Sequence, residues 1–387
     1  MAAAESGFMG GDTWKKPEKL GLMSSFIITS TYGDTSLWYY SYALAKELAN
    51  RSHKVTIIIT GQRNDLVSSE TNPAIYTWPS VKPKTLSDFK FMQKLIKSVQ
   101  PDCVIGYIAG INVSMIMSWL NGVNVRMAYY QIISRAIERD TDLSKGIIFF
   151  QRMRKKIVYK LTNNLIAVSK ACAVDLIRTY NVPSKKVNIL PLLIDDFGTK
   201  QRFVNRCQKI VCVARLDHNK GQDILIKAIP SIVKDNPGLK TFFIGDGPYK
   251  KIYEELVNEI DMEGNVIFTG KISLAETKAH MASALALILP TRDDALPLVI
   301  PEAMSVGTPV IACNVGGIPE IIDDHVTGLL FSQENHKELS QKVIELLNDL
   351  ALWKKLSKNG LEHFIRYRSM QNISNHADYF ENLVRSA

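Results

Sequence analysis

The sequence of 387 residues has no apolar run long enough to cross a bilayer as a helix. A spanning helix needs about 20 consecutive apolar residues, and the longest run here, around 284–289, ends at Pro290. Residues 1–22 contain an acid near their start and no continuous apolar core, so they lack the pattern of a secretory signal. We therefore predict a chain that does not span a membrane and that begins with a flexible leader over residues 1–22.

Cysteine is scarce and scattered. The five cysteines are Cys103, Cys172, Cys207, Cys212 and Cys313. Their odd number, and the apolar strand or helix patterns around most of them, favour buried reduced thiols over a disulfide framework. Reduced thiols are typical of the cytoplasm, so we predict a cytoplasmic location.

The sequence also lacks the signatures of two binding classes. No G-x-G-x-x-G follows the first predicted strand, which argues against a nicotinamide dehydrogenase. Basic residues are abundant, but without the aromatic interleaving or zinc-ligand spacing of nucleic-acid modules. The net charge of +9 and the pI of about 9.1 nevertheless predict an anionic partner. A nucleotide sugar and an anionic membrane surface both remain open.

Short apolar runs bounded by turn residues alternate with helical periodicity along the whole chain, which predicts an α/β protein with parallel sheets. The length suits two domains of ordinary size. We place the first over 23–198 and the second over 204–360, with the linker at about 196–203. The remaining residues, 361–387, are predicted to be helical.

Residues 285–289 and 310–313 are predicted to be buried strands that bracket a loop and a short helix. Pro297 lies at the helix start, where its fixed φ is favourable. Ligands of open α/β sheets bind at this edge, and a helix N-terminus suits an anion. Asp294 and Glu302 can both face the same cleft and accept hydrogen bonds from the hydroxyl groups of a sugar or ribose. The alternative is that they only complement the helix dipole.

A second candidate segment follows the predicted strand 209–214, where Arg215 and Lys220 place two cations just past the strand end. A guanidinium and an ammonium at that position can stabilise the charge that gathers on a departing diphosphate. The alternative is that both side chains only solvate a loop.

These segments resemble the donor-binding segments of retaining GT-B glycosyltransferases of family 4, also called group 1. The family pattern E-x7-E, A-M-x-x-G-x-P-V-[IV]-A and G-G-x-x-E is matched at Glu302, Ala303, Met304, Gly307, Pro309, Val310, Ala312, Gly316, Gly317, Glu320 and Ile321. The segment that begins at Arg215, RLDHNKGQD, is similar to the family pattern R-L-x-x-x-K-G-x-D. The resemblance implies the GT-B fold: two Rossmann-like domains with parallel sheets facing a central cleft. It also implies a C-terminal helix, 361–387, that crosses back to the first domain.

The resemblance implies roles for the acids and cations. Asp294, Arg215 and Lys220 would be the catalytic residues, with Asp294 on the donor sugar and the two cations on the diphosphate. Glu302 would bind the ribose. The substrate would be a nucleotide-diphosphate sugar, and the leaving phosphate oxygen would take the acceptor proton.

Five further positions are implied as donor-binding residues. Leu298 and Val299, at the helix start, would contact the diphosphate. Lys271 and Ile272, just past a predicted strand, would contact the base through their main chain. Gly33 lies in the loop after the first strand, where the family has a Gly-Gly pair.

The sequence departs from the family at several positions. Asp294 replaces the first Glu, Leu192 and Leu193 replace an Asn-Gly pair, and the family's donor-side His is missing from the first domain. His53, in the turn before a strand, has the position of a structural histidine in that family and does not replace the missing one. Gln131 is the closest candidate for its role. These departures keep open a rival hypothesis, a catalytically silent GT-B subunit that binds a sugar nucleotide or a partner enzyme.

Residues 146–161 are predicted to form an amphipathic helix with a strongly basic face. Its basic residues are Arg152, Arg154, Lys155, Lys156 and Lys160. Such a helix can lie on an anionic membrane surface, with the acceptor linked to a lipid. The alternative is a core helix whose solvent face happens to be basic.

Asp140 and Asp142 form a D-x-D pair, which binds a divalent metal in the other glycosyltransferase fold. That use requires an apolar strand in front, whereas 134–142 is charged and loop-like. We therefore predict no metal site and no cofactor, the nucleotide sugar being a substrate.

Overall fold

The computed structural model describes residues 23–31, 35–60, 71–107, 110–135, 144–195 and 208–387. The predicted leader 1–22, Gly33, Cys207 and the pair Asp140 and Asp142 lie outside the described residues.

The first domain is built on a parallel sheet of seven strands in the order β3-β2-β1-β4-β5-β6-β7. The strands are β1 (Ser25–Thr31), β2 (Lys54–Thr60), β3 (Ala74–Thr77), β4 (Cys103–Gly106), β5 (Val125–Tyr130), β6 (Asn164–Ala167) and β7 (Val187–Ile189). The central strands are buried on both faces, which explains why they appear in the sequence as continuous apolar runs. The order reverses direction between β1 and β4, so the carboxyl ends of these strands flank a topological switch point.

In the described part of this domain, five helices connect these strands: α1 (Ser36–Asn50), α2 (Leu86–Val99), α3 (Ile111–Leu120), α4 (Lys145–Leu161) and α5 (Lys170–Tyr180). Local sequence sets several of their starts. Thr35 caps α1, and Thr85 forms a capping box with Asp88 at the start of α2. Ser169 caps α5 by accepting a hydrogen bond from the backbone N–H of Cys172.

The second domain has a parallel sheet of six strands in the order β10-β9-β8-β11-β12-β13. The strands are β8 (Lys209–Val213), β9 (Lys240–Ile244), β10 (Val266–Gly270), β11 (Ala286–Leu289), β12 (Val310–Cys313) and β13 (Leu329–Phe331). The helices are α6 (Gln222–Asp235), α7 (Lys250–Glu259), α8 (Leu274–Ala282), α9 (Val299–Ser305), α10 (His336–Asn348) and α11 (Leu350–Tyr367). The predicted α/β class with two parallel sheets is confirmed.

The last helix, α12 (Ile373–Arg385), packs on α1 of the first domain, whereas α11 packs on α9 of the second. Arg51 donates to Asp378 at 2.6 Å, and His53 contacts Glu381 at 3.0 Å. The chain therefore returns to the first domain between α11 and α12, whereas the predicted linker, 196–203, lies outside the described residues. His53 has a structural contact at this junction.

Four of the cysteines, Cys103, Cys172, Cys212 and Cys313, are buried free thiols. Burial raises the pKa of the last three to about 12. The prediction of reduced, buried cysteines is confirmed for these four.

Candidate active site

The loops that follow β8, β11 and β12 meet at one edge of the second sheet, because these strands are parallel neighbours. Gly221 and Gly316 allow the loops to approach closely. Both have positive φ, and a Cβ would collide with the carbonyl oxygen of Pro290 in the first case and of Asp294 in the second. The two turns therefore require glycine for both conformation and space.

The first two loops are tied together by backbone and side-chain hydrogen bonds. The N–H of Arg292 donates to the carbonyl of Asn219 at 2.7 Å, and the Asn219 amide donates to the carbonyl of Asp293 at 2.9 Å. Lys220 Nζ lies 2.6 Å from Asp294 Oδ2. The structure thus brings two predicted catalytic residues into direct contact, as an ion pair with each other.

Arg215 lies at the same sheet edge but extends outward. Its Nε is 3.0 Å from Asp217 Oδ2, and its side chain is 61% exposed. Asp217 also caps the short turn that carries Lys220, accepting from its backbone N–H. Asp217 therefore contacts both the Arg215 guanidinium and the Lys220 backbone, and most of the Arg215 side chain stays exposed.

Arg292 is a residue of this site that the sequence interpretation missed. Its guanidinium donates two bonds to Asp223, both at 2.8 Å, and Nε donates to Glu334 at 2.6 Å. The side chain is only 7% exposed. Burial alone would raise the pKa of Asp223, but the bonds from Arg292 outweigh burial and lower that pKa. The sequence did carry a signal for Arg292, because this residue lies between the predicted strand 285–289 and Asp294.

Glu302 lies in the first turn of α9 and faces the first domain. The hydroxyl of Ser36, the first residue of α1, donates to Glu302 Oε1 at 2.5 Å. Burial raises the pKa of the Glu302 carboxyl, and the bond from Ser36 offsets part of that increase. The predicted ribose-binding acid therefore lies in the cleft, where it already holds one hydroxyl group.

Two more hydrogen-bonded contacts join the domains near this point. Ser169 Oγ donates to the carbonyl of Ala295 at 2.7 Å. The backbone N–H groups of Lys170 and Ala171 donate to the two carboxylate oxygens of Glu320, at 2.7 and 2.8 Å. The carboxylate thus occupies the positive N-terminus of α5, and these hydrogen bonds join the two domains directly.

The remaining predicted positions are spread along the same edge. Leu298 and Val299 are half-buried at the start of α9, and the exposed Lys271 and half-buried Ile272 directly follow the edge strand β10. Gln131 is the first residue after β5, at the carboxyl edge of the first sheet; its amide nitrogen is buried and has no hydrogen-bond partner among the described residues.

The described parts of the chain contain no group of three or more His, Cys, Asp or Glu side chains placed to hold a metal ion. Within the same residues, no helix combines the length and the apolar character that a membrane span requires.

Two family models match consecutive parts of the chain. "Glycosyltransferase Family 4" matches residues 38–196, and "Glycosyl transferases group 1" matches residues 196–363. The first match covers strands β2 to β7 of the first domain, and the second covers the domain with Arg215, Lys220, Asp294 and Glu302. The chain belongs to the group 1 glycosyltransferase family and has its GT-B fold.

Among its curated relatives, a GDP-mannose-dependent alpha-(1-6)-phosphatidylinositol monomannoside mannosyltransferase of Mycobacterium tuberculosis is 35% identical over 147 residues. That alignment covers 36% of this chain and 38% of the relative. The gpi3 subunit of the phosphatidylinositol N-acetylglucosaminyltransferase of Schizosaccharomyces pombe is 28% identical over 48% of this chain and 41% of its own. The chain thus spans less than half the length of these curated relatives.

Solved structures match far more of the chain. Sucrose-phosphate synthase from Thermosynechococcus elongatus has a TM-score of 0.77 at 17% identity, over 94% of this chain and 100% of the other. Anabaena HepE in complex with UDP has a TM-score of 0.72 at 18% identity, over 92% and 99%. At such low identity these similarities establish the fold alone.

Proposed function

We propose that this protein transfers a sugar from a nucleotide-diphosphate donor to an acceptor, with retention at the anomeric carbon. The observation that supports this most strongly is the ion pair of Lys220 with Asp294, which joins the loops after β8 and β11. Arg215 follows β8 directly, and Glu302 lies in the helix after β11, where it contacts Ser36 of the first domain. Cations for a diphosphate and carboxylates for hydroxyl groups are the set that a nucleotide sugar needs.

In this proposal the donor replaces contacts that the protein now makes with itself. Its diphosphate contacts Arg215, Lys220 and the start of α9, and its sugar hydroxyls bind Asp294 in place of Lys220. The ribose hydroxyls bind Glu302 in place of Ser36. As the sugar bond breaks, the two cations stabilise the diphosphate, and its released oxygen takes the acceptor proton.

We also propose that the acceptor is linked to a lipid and that α4 lies on an anionic membrane surface. Five apolar side chains of α4 are at least 40% exposed: Ile147, Phe149, Phe150, Met153 and Ile157. The helix carries no acidic residue, and its buried side is formed by Val158 and Tyr159. Exposed apolar groups beside cations suit an anionic bilayer better than water. The names of two relatives, both acting on phosphatidylinositol derivatives, agree with such an acceptor.

A neighbouring surface adds to the basic character of that face. Helix α3 packs between α2 and α4. Between α2 and α3 lies an open groove of about 700 Å³, which Lys90, Lys94 and Lys97 line together with Phe89 and Met117. None of the described residues that line this groove is a carboxylate.

The activity is tested by incubating the protein with a panel of nucleotide sugars and measuring nucleotide diphosphate release, with and without membrane lipids. Wild type should release the diphosphate from one donor class, and the product should keep the donor's anomeric configuration by NMR. Lys220→Ala should lose at least about 100-fold in rate, because it removes a transition-state cation. Lys251→Ala, an 87% exposed lysine on α7, is the matched control and should leave the rate unchanged. Equal rates for both variants would contradict the proposal.

The second candidate function is a catalytically silent subunit. Its support is that Asp294 and Glu302 are each already held by a protein group, Lys220 and Ser36. Transfer or donor hydrolysis by the isolated chain would exclude it. Saturable donor binding without turnover would favour it.

A further inference from the structure

The N-terminus of α3 lies at the switch point of the first sheet and has no side-chain cap. Helix α3 follows β4, and its N-cap residue is Gly110, in the left-handed conformation at φ +78°. The first helical bond runs from the N–H of Ser114 to the carbonyl of Gly110. The N–H groups of Ile111, Asn112 and Val113 therefore have no intrahelical partner, and no hydrogen bond joins them to another described residue.

A second, independent hydrogen-bond donor lies at the same point. Trp78 directly follows β3 and is 5% exposed. Its indole covers Gly110: the place where a Cβ of Gly110 would stand is 3.2 Å from Trp78 Nε1. This Nε1–H is buried and has no acceptor among the described residues. A buried N–H without a partner is uncommon and calls for an explanation.

The equivalent ends of α1 and α5 show what such a position attracts. Ser36 at the start of α1 binds the carboxylate of Glu302, and the start of α5 binds the carboxylate of Glu320. At the start of α3 the described residues offer several donors without an acceptor: the terminal N–H groups, which add to the positive end of the helix dipole, and the indole N–H. A group that brings several acceptor oxygens and negative charge matches this set.

We propose that the N-terminus of α3 and the indole N–H of Trp78 bind a phosphate group of the acceptor. The inference rests on the proposed function only in naming the acceptor as the molecule that carries the phosphate. The position supports this, because α1 and α3 follow the neighbouring strands β1 and β4, and Ser36 at the start of α1 contacts Glu302 of the second domain. The donor diphosphate is assigned to the opposite wall of the cleft, near Arg215 and Lys220.

The test follows the indole N–H signals of the full chain labelled with ¹⁵N-tryptophan. The chain has 5 tryptophans, and the spectrum of Trp78→Phe identifies the Trp78 signal. Titration with sn-glycerol 3-phosphate should shift this signal in a saturable way. Glycerol, and KCl at matched ionic strength, should not. A Trp78 signal that stays in place, or that moves equally with KCl, would overturn the proposal.

Two further titrations distinguish the molecules that could supply the phosphate group. If inorganic phosphate shifts the signal with about tenfold weaker affinity than sn-glycerol 3-phosphate, the site recognises a phosphate ester, as the proposal requires. A response to UDP or GDP but not to sn-glycerol 3-phosphate would assign the site to the donor and overturn the acceptor assignment.

A matched pair of variants tests the helix terminus itself. Asn112→Asp adds a negative charge in the first turn of α3. This charge should weaken the binding of sn-glycerol 3-phosphate at least about tenfold. Asn112→Gln should change the affinity less than about twofold. The acid should not lower the melting temperature, because it complements the helix dipole. Equal affinities of the two variants would contradict the proposal.

The outcome is separable from that of the proposed function. A saturable Trp78 response in a protein that transfers no sugar would support the phosphate site and leave the transferase unsupported. Transfer activity in a protein whose Trp78 signal does not shift would support the transferase and overturn the phosphate site.

Discussion

At the scale of the single residue, Arg292 holds the loop after β11 in place. It joins Asp223 at the start of α6 to Glu334 beyond β13, and both contacts are made from a buried side chain. Because the guanidinium is planar, it can hold both carboxylates in fixed directions, which an ammonium cannot do. Asp294, two positions further on, depends on that geometry.

Arg292→Lys should therefore lower both stability and donor affinity. The lysine keeps the charge but loses the two-bond contact with Asp223, so the free energy of unfolding should fall by about 2 kcal/mol. Urea unfolding checks this value. Lys251→Arg on α7 is the control and should change it by less than about 0.5 kcal/mol. If the urea midpoint of Arg292→Lys equals that of wild type, the contacts of Arg292 with Asp223 and Glu334 do not stabilise the protein.

Ser36 offers a second prediction at this scale. If the donor ribose must displace the Ser36 hydroxyl from Glu302, Ser36→Ala should bind nucleotide diphosphate more tightly, by about fivefold for one hydrogen bond. Ser36→Thr keeps the hydroxyl and should bind like wild type. Calorimetric titration with UDP and GDP measures the affinities. Weaker binding by Ser36→Ala would mean that Ser36 assists the donor and does not compete with it.

At the scale of elements, α12 is held on the first domain through a buried histidine. His376 Nδ1 lies 2.8 Å from the hydroxyl of Tyr40, which lies 3.0 Å from the hydroxyl of Tyr129. Burial, with a smaller effect of the positive charge of Arg368, lowers the pKa of His376 from 6.5 to about 4. The neutral imidazole is the form that fits between these groups.

The pKa shift of His376 predicts a loss of stability in acid. The unfolded chain takes up the proton first, so the contribution is complete above pH 6.5 and is lost as the pH falls toward 4. The loss is on the order of 3 kcal/mol. Thermal unfolding from pH 7.5 to 4 should show a smaller decline for His376→Gln. His363, whose pKa is also lowered to about 4, titrates in both proteins. Identical profiles would contradict the assignment.

Helix α4 carries the prediction for membranes. Replacing both Phe149 and Phe150 with Ser removes two exposed rings, 66% and 71% exposed, and should abolish flotation with liposomes that contain anionic lipid. Binding of wild type should weaken at high salt, where the basic groups are screened. Ile252→Ser on α7 is the control, with a side chain that is 52% exposed. Flotation of the double variant at the wild-type level would exclude α4 as the contact.

At the scale of the whole molecule, sequence patterns predicted the elements well and the contacts between them poorly. Strand β12 has the predicted bounds, 310–313, because an apolar run bounded by turn residues is a local signal. The contact of Ser36 with Glu302 joins residues 266 positions apart, and the pairing of Lys220 with Asp294 joins loops 74 apart. No local pattern encodes either contact, since each depends on how strands and domains are placed.

The central claim is that Arg215, Lys220, Asp294 and Glu302 form one donor site in the cleft. The most direct measurement is calorimetric binding of UDP and GDP to wild type, Lys220→Ala and Lys251→Ala. The account predicts one saturable site per chain for at least one nucleotide, at least about tenfold weaker binding by Lys220→Ala, and unchanged binding by Lys251→Ala. Binding that is equal in the two lysine variants would contradict it.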